Sequence, residues 1–355
     1  MRKHLLVFLA LSLTLTACAA EATPLPTNPP VPVTETPTQT STPEPTATFT
    51  LTSTPTPVPN PMSIIALRNM DYPGSEISIV KELERGINYR RYYVYYLSEG
   101  LKIYALLTVP NGEPPEGGFP AIVFNHGYIP PDVYKTTERY IAYVDQIARA
   151  GYVVFRIDYR GHDQSEGEAR GAYGDPGYQI DVMNAVASIK QYPSVNPEKI
   201  GMWGHSMGGY LTLRAMVISQ DIKVGVIWAG VVASYPDLVY NWRRTGSFTP
   251  SPSSRGAGWR TSWIEQYGTP EENPAFWDSV SATSYLADLS GPLELHHGTA
   301  DEDVPIEFSI RLAELARQQG KIANLYTYEG DNHNISKYFT TAMNRTIEFF
   351  DIYLK

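Results

Sequence analysis

From residue 62 onward, apolar runs of strand length alternate with stretches of helical period. Tyr89–Leu97 and Leu101–Val109 are rich in Tyr, Val and Leu and meet at Ser98-Glu99-Gly100, which predicts an antiparallel hairpin. Ala121–Phe124 is short and wholly apolar, the pattern of a strand covered on both faces. A helical stretch over Thr136–Ala150 closes at Gly151. There follow strand Tyr152–Tyr159, helix Tyr178–Gln191, strand Lys199–Trp203, helix Gly208–Ser219 and strand Val224–Trp228. After an irregular stretch come strand Leu293–His296, helix Pro305–Gln319, strand Asn324–Tyr328 and helix Ser336–Tyr353. Strands and helices in alternation predict an α/β domain over 62–355: a mostly parallel, eight-stranded sheet flanked by helices. The irregular segment 231–289 interrupts the alternation and is expected to form a cap. Ligands bind such sheets beyond the carboxyl ends of the strands, so chemistry is expected in the turns that follow them.

The first 61 residues follow a different pattern. Met1-Arg2-Lys3-His4 is basic and Leu5–Leu15 apolar, the layout of a signal peptide. The apolar run falls short of the ~20 residues that span a bilayer. It ends Leu15-Thr16-Ala17-Cys18, which resembles a bacterial lipobox and implies lipidation of Cys18 after export. Residues 1–18 are therefore expected to be a lipoprotein signal and 19–61 a Thr/Pro-rich spacer, too poor in apolar residues to fold. The mature protein would be held at the extracytoplasmic face of a membrane.

Composition narrows the choices further. A net charge of −9 argues against nucleic acid as a partner, which rewards clustered Lys and Arg. Cys18 is the single cysteine of the chain, so the domain has neither a disulfide nor a thiolate metal site. His162, His205 and His296 have no companions at metal-ligand spacing, and no phosphate loop or dinucleotide fingerprint occurs. No metal or cofactor is expected.

The chemistry-bearing residues sit where strands end. Gly204-His205-Ser206-Met207-Gly208-Gly209 lies between a strand and a helix, the setting in which a Gly-x-Ser-x-Gly turn exposes a serine hydroxyl. Its small residues let the turn close, and the N–H of Met207 opens the helix where oxyanion charge would develop. Downstream, Asp301 follows one strand in His297-Gly298-Thr299-Ala300-Asp301-Glu302-Asp303-Val304-Pro305, and His333 follows the last strand in Glu329-Gly330-Asp331-Asn332-His333. Glu302 and Asp303 compete with Asp301 as the acid; Asp331 reads as a turn residue.

In this order and spacing, Gly-x-Ser-x-Gly-Gly, His-Gly-Thr-x-Asp-x-x-Val-Pro and a late Gly-x-x-His resemble the α/β-hydrolase superfamily over Tyr89–Lys355. The branches most similar are the prolyl-oligopeptidase-like and dienelactone-hydrolase-like ones. The resemblance implies Ser206 as nucleophile, His333 as general base and Asp301 as its orienting acid. It places a second oxyanion donor at the N–H of Tyr128, in Asn125-His126-Gly127-Tyr128, and leaves the Tyr128 hydroxyl open as a further donor. His126 reads as a buried hydrogen-bonding residue. Asp158-Tyr159-Arg160-Gly161-His162-Asp163-Gln164-Ser165 is similar to a bracing turn of the family, with Asp163 replacing its second glycine and open to a substrate contact. Within 231–289, Trp242, Trp259, Trp263 and Trp277, with Arg243, Arg244, Arg255 and Arg260, suit either substrate binding or a small core of the cap's own.

Three functions are compatible with these residues. One is hydrolysis of carboxylic esters through an acyl-enzyme on Ser206. Another is cleavage of short peptides by the same groups, in the manner of the oligopeptidase branch. The remaining one, a binding protein without catalysis, would be favoured by loss of a triad member, and Ser206, Asp301 and His333 are all present. Dienelactone chemistry normally uses a cysteine nucleophile, which this domain lacks.

Overall fold

The computed structural model describes residues 59–242 and 258–355. The expected signal peptide, Cys18 and most of the spacer lie outside the described residues, as do Arg243, Arg244 and Arg255. Among the described residues no helix is long and apolar enough to cross a membrane.

The strands are β1 (Ser78–Leu83), β2 (Tyr89–Ser98), β3 (Leu101–Pro110), β4 (Phe119–Asn125), β5 (Val153–Ile157), β6 (Val195–His205), β7 (Ile222–Trp228), β8 (Leu293–Gly298) and β9 (Ala323–Tyr328). They form one sheet in the order β1-β2-β3-β5-β4-β6-β7-β8-β9. The first three pair antiparallel, β3 also meets β5 antiparallel, and every pairing from β5 through β9 is parallel. The hairpin turns at Glu99 and Gly100, whose φ values of 51° and 80° match the left-handed pair that a tight two-residue connection needs.

The sheet has nine strands where the sequence predicts eight. The additional strand, β1, lies at the edge, with Ile79 and Val80 more than half exposed. Having no buried face, it carries no alternation to read.

Helices cover both faces. On one lie α1 (Ile64–Arg68), α3 (Gly177–Lys190), α4 (Met207–Ile218) and α8 (Ile306–Gln318); on the other lie α2 (Ile141–Arg149) and α9 (Phe339–Leu354). The strand β4 shows the consequence, since Ala121 and Val123 face one core while Ile122 and Phe124 face the other. Full burial of all seven β4 residues explains why Ala121–Phe124 is wholly apolar, and the buried Asn125 at its end finds a partner in the Thr212 hydroxyl. Helix α2 starts five residues later than predicted. Thr136 is instead drawn into tertiary bonding, its hydroxyl donating to Asp158 Oδ2 at 2.7 Å.

The cap segment contributes α5 (Tyr235–Tyr240), α6 (Trp259–Tyr267), α7 (Pro274–Val280) and a 3₁₀ turn, Ala282–Asp288. Trp259, Trp263 and Trp277 are buried around Tyr235, whose ring stacks on Trp263 at 5.3 Å. Arg260 lies over the rings of Trp242 and Trp259 and donates to the Leu238 carbonyl at 2.9 Å. These aromatics do not form a separate core: Tyr235, Trp259, Trp263 and Trp277 continue the hydrophobic cluster that lies under α3, α4 and α8.

Chain order fixes the place where ligands bind. The chain leaves β4 for β5 on one side and reaches β6 on the other, so the turns after β4 and β6 diverge. The crevice between them is the topological switch point of the sheet.

Candidate active site

Ser206 follows β6 and caps the start of α4 with φ 55° and ψ −118°, a conformation that non-glycine residues seldom adopt. Its N–H donates to the Trp228 carbonyl at 3.0 Å, and its carbonyl accepts from Gly209 and Val231 at 3.0 and 3.1 Å. Such over-determination holds a strained turn in place. The flanking glycines are sterically required: a Cβ on Gly208 would lie 2.0 Å from the Asn125 carbonyl oxygen, and one on Gly204 would lie 2.3 Å from that of Gly208. The first turn of α4 is thereby pressed against the end of β4. Met207 contributes one of the N–H groups that a helix start cannot satisfy internally.

Asp301 follows β8 in a turn that points its carboxylate inward, leaving the side chain 1% exposed. Its Oδ1 accepts the main-chain N–H groups of Asp303 and Val304 at 2.8 and 3.0 Å. Its Oδ2 lies 2.7 Å from His333 Nδ1 and 3.1 Å from His297 Nε2. Burial alone would raise this carboxyl, but the bonds from His297, His333 and the backbone hold it well below the usual carboxylate range. Ser206 and His333 line one cleft of about 410 Å³, together with Gly127, Tyr128, Ile129, Pro130, Val133, Arg139, Tyr140, Tyr143, His205, Asp303 and Asn334. Among the described residues no hydrogen bond joins Ser206 Oγ to His333 Nε2; such contacts are often loose without substrate.

Tyr128 lines the same cleft, so the expected oxyanion donors, Tyr128 and Met207, flank Ser206 from the turn after β4 and the start of α4. His126 is fully buried, its ring stacked 4.5 Å from Tyr134 and its Nδ1 2.6 Å from the Gly127 carbonyl. Arg160 braces the turn after β5, with its Nη2 2.7 Å from Asp181 Oδ1 on α3 and 3.0 Å from Glu99 Oε2. Asp331 accepts the N–H groups of Asn332, Lys337 and Tyr338, organising the turn that carries His333.

Asp163, left open to a substrate contact by the sequence, serves the bracing turn instead. It is engaged by Lys135 at 2.8 Å and by the Thr136 N–H at 3.3 Å, and it does not line the cleft. Its φ of 48° explains why the resembling families carry glycine here; a short carboxylate side chain tolerates this conformation. Sequence reasoning also missed Tyr140, His205 and His297. Polar contacts tie all three to the site: Tyr140 to His205, His205 to the His333 carbonyl, and His297 to Asp301. His205 and His297 stand inside quoted motifs, but those motifs give them no role, and Tyr140 belongs to none.

Residues 139–355, more than half of the chain, match the family model described as the prolyl oligopeptidase family. The chain belongs to this family. With its mostly parallel sheet it is a serine hydrolase of the α/β-hydrolase fold. The matched segment of this prolyl oligopeptidase family member contains Ser206, Met207, Asp301 and His333, whereas Tyr128 precedes it. Among relatives, the chain is 28% identical over 257 residues to the uncharacterized peptidase YuxL of Bacillus subtilis, covering 68% of this chain and 35% of YuxL. It is 28% identical over 259 residues to the uncharacterized peptidase YtmA of the same organism, covering 73% of this chain and 90% of YtmA. It thus spans about a third of one relative and nine-tenths of the other. Its fold is similar to that of an acetyl xylan esterase from Paenibacillus sp. R4, with TM-score 0.60 and 19% identity over 82% of this chain and 92% of the esterase.

Proposed function

We propose that this hydrolase cleaves carboxylic esters, with Ser206 as nucleophile, His333 as general base and Asp301 as the group that orients it. The observation that carries the reading is the 2.7 Å contact of Asp301 Oδ2 with His333 Nδ1, on a histidine that shares its cleft with Ser206. Ser206 Oγ bonds to the substrate carbonyl carbon as its proton passes to His333 Nε2. The N–H groups of Met207 and Tyr128 hold the oxyanion, and the leaving oxygen takes the proton as its bond to carbon breaks. Water then releases the acyl group by the reverse transfers.

Ester is preferred to peptide because the cleft wall of Ile129, Pro130, Val133 and Tyr143 suits an apolar acyl or aryl group. A charged peptide amino terminus needs compensating carboxylates when it leaves water, and among the described lining residues Asp303 is the single one. The family match and the peptidase names of YuxL and YtmA favour a second reading, cleavage of short peptides by the same groups.

The test uses detergent-solubilised full-length protein. Rates on p-nitrophenyl esters from acetyl to dodecanoyl are compared with those on aminoacyl and prolyl p-nitroanilides, less the background of S206A. Esters are expected to exceed anilides in kcat/KM by about 100-fold or more, a gap of at least ~2.7 kcal/mol in activation free energy. Comparable values would assign the protein to the peptidases.

We further propose that the chain is exported and anchored through a lipid on Cys18, with 19–61 as a spacer that holds the hydrolase domain clear of the membrane. The Cys18→Ser variant is expected to move from the membrane pellet to the soluble fraction and to lose labelled-palmitate incorporation. Unchanged partition with unchanged labelling would remove the anchor.

A further inference from the structure

A chain of hydrogen bonds crosses the site without including the triad side chains. The Gly127 N–H donates to Tyr140 Oη at 2.9 Å, and Tyr140 Oη lies 2.7 Å from His205 Nδ1. On the far side of that ring, His205 Nε2 lies 3.0 Å from the carbonyl oxygen of His333. A carbonyl only accepts, so Nε2 carries the proton and Nδ1 is the bare nitrogen that accepts from the Tyr140 hydroxyl. Every bond therefore runs in one direction, from the oxyanion turn through Tyr140 and His205 to the main chain of His333.

We infer that Tyr140 and His205 are positioning residues: together they form a strut that sets the distance between the Tyr128 oxyanion donor, Ser206 and His333. The inference rests on the Ser206–His333 reading above and adds residues to it.

Three other features support the strut. Gly127 is glycine at the point of contact, since a Cβ there would lie 2.8 Å from Tyr140 Oη, 3.1 Å from His205 Nδ1 and 3.2 Å from Ser206 Cβ. A side chain at 127 would force the strut and the oxyanion turn apart. Tyr140 itself holds φ 58° and ψ 23°, a left-handed backbone just before α2 that costs of order 1 kcal/mol for a bulky residue. The conformation brings its ring against Phe124 at 5.5 Å and His205 at 5.7 Å. Finally, both groups keep the protonation the bonds require. Burial, and next the neighbouring His333, lower the His205 imidazole to about 3, and burial raises the Tyr140 phenol well above its usual value. Burial thus favours the neutral form of both groups, the form that the bonds need.

The position of His205 explains why one ring suffices. It is adjacent to Ser206 in the chain, and its ring lies 4.6 Å from that of His333. A shift of the His205 ring is felt at once by the nucleophile turn, the oxyanion turn and the base. Misplacement of about 1 Å by a residue outside the chemistry can cost ~100-fold in rate.

The test uses the full-length chain and four proteins: wild type, Y140F, H205L and H205Q. Two rates are read, the labelling of Ser206 by a fluorophosphonate and kcat with KM on p-nitrophenyl acetate. Y140F keeps the ring and removes only the bonds. It is expected to lower labelling rate and kcat by roughly 10- to 100-fold, with KM within about twofold and a modest fall in melting temperature, because the Gly127 N–H and His205 Nδ1 lose their partner. H205L is expected to fall as far. H205Q, with an amide donor at the reach of Nε2 and an acceptor beside it, is expected to recover a large part of the loss. Y140F within twofold of wild type on both rates would overturn the strut, as would an H205Q no better than H205L. If fluorophosphonate fails to label wild-type Ser206, the nucleophile assignment falls and takes this inference with it. Normal wild-type labelling beside an unimpaired Y140F removes the strut alone.

Discussion

Replacing Ser206 by alanine is expected to reduce turnover of p-nitrophenyl esters by about 10⁴- to 10⁶-fold, with the folded state untouched. The size of the loss follows from the chemistry: without Oγ no acyl-enzyme can form, and what remains is the oxyanion site acting on water. The survival of the fold follows from local bonding. The groups that hold the turn are main-chain ones, the Ser206 N–H on the Trp228 carbonyl and the Ser206 carbonyl accepting from Gly209 and Val231. Among the described residues nothing hydrogen-bonds to Oγ, so its removal orphans no buried partner. The melting temperature should stay within about 2 °C of wild type, as expected of a change below ~0.5 kcal/mol. Activity within tenfold of wild type would show that another residue attacks the substrate. A collapse in melting temperature would show that the hydroxyl serves the fold.

How much of this was legible in the sequence differs from element to element. The parallel interior was readable because burial on both faces leaves an unbroken apolar run, as in β4 with Ile122 and Phe124 on one side and Ala121 and Val123 on the other. The edge strand β1 was not, because Ile79 and Val80 face solvent and Lys81 and Glu82 follow them. The start of α2 was misplaced for a tertiary reason. Thr136 and Tyr134 bond to the buried Asp158 at 2.7 and 2.6 Å, and that network outweighs local helical preference. In the cap, helices of six to nine residues wrap around buried tryptophans, too short for a period to emerge.

The site divides in the same way. Ser206, Asp301 and His333 announce themselves because each ends a strand in a turn whose geometry demands particular small or polar neighbours. Tyr140 and His205 do not: they are 65 positions apart and meet through one hydroxyl. The signal that would have pointed to Tyr140 is conformational, a left-handed tyrosine ahead of a helix, and conformation at a single residue leaves no periodicity. His297 was visible only as part of the His-Gly-Thr motif, while its role lies in a bond to the side chain four residues on.

That bond bears on the second large effect, Asp301→Asn. His297 Nε2 lies 3.0 Å from the Val304 carbonyl, which only accepts, so this nitrogen carries a proton and also presents it to Asp301 Oδ2 at 3.1 Å. His297 Nδ1 is then the acceptor for the Ser309 hydroxyl at 2.8 Å. Asp301 Oδ2 thus faces two N–H groups, from His297 and His333, while Oδ1 faces two more, from the backbone of Asp303 and Val304. An asparagine must place its carbonyl toward one pair and its NH₂ toward the other. The backbone donors cannot move, so the carbonyl turns to them and the NH₂ meets His333 and His297. His333 Nδ1 must then accept, its proton shifts to Nε2, and the nitrogen that should take the Ser206 proton is already protonated. The NH₂ also opposes the His297 N–H, donor against donor. The expected result is a fall in kcat of about 10⁴-fold with KM little changed. Asp303→Asn supplies the control, because Asp303 serves this network through its main-chain N–H. It should keep kcat within about threefold of wild type, as expected for a side chain that bonds neither His333 nor the reacting atoms. If instead D303N loses activity and D301N keeps it, the orienting acid is Asp303 and the contact at 2.7 Å is not the one that catalysis uses.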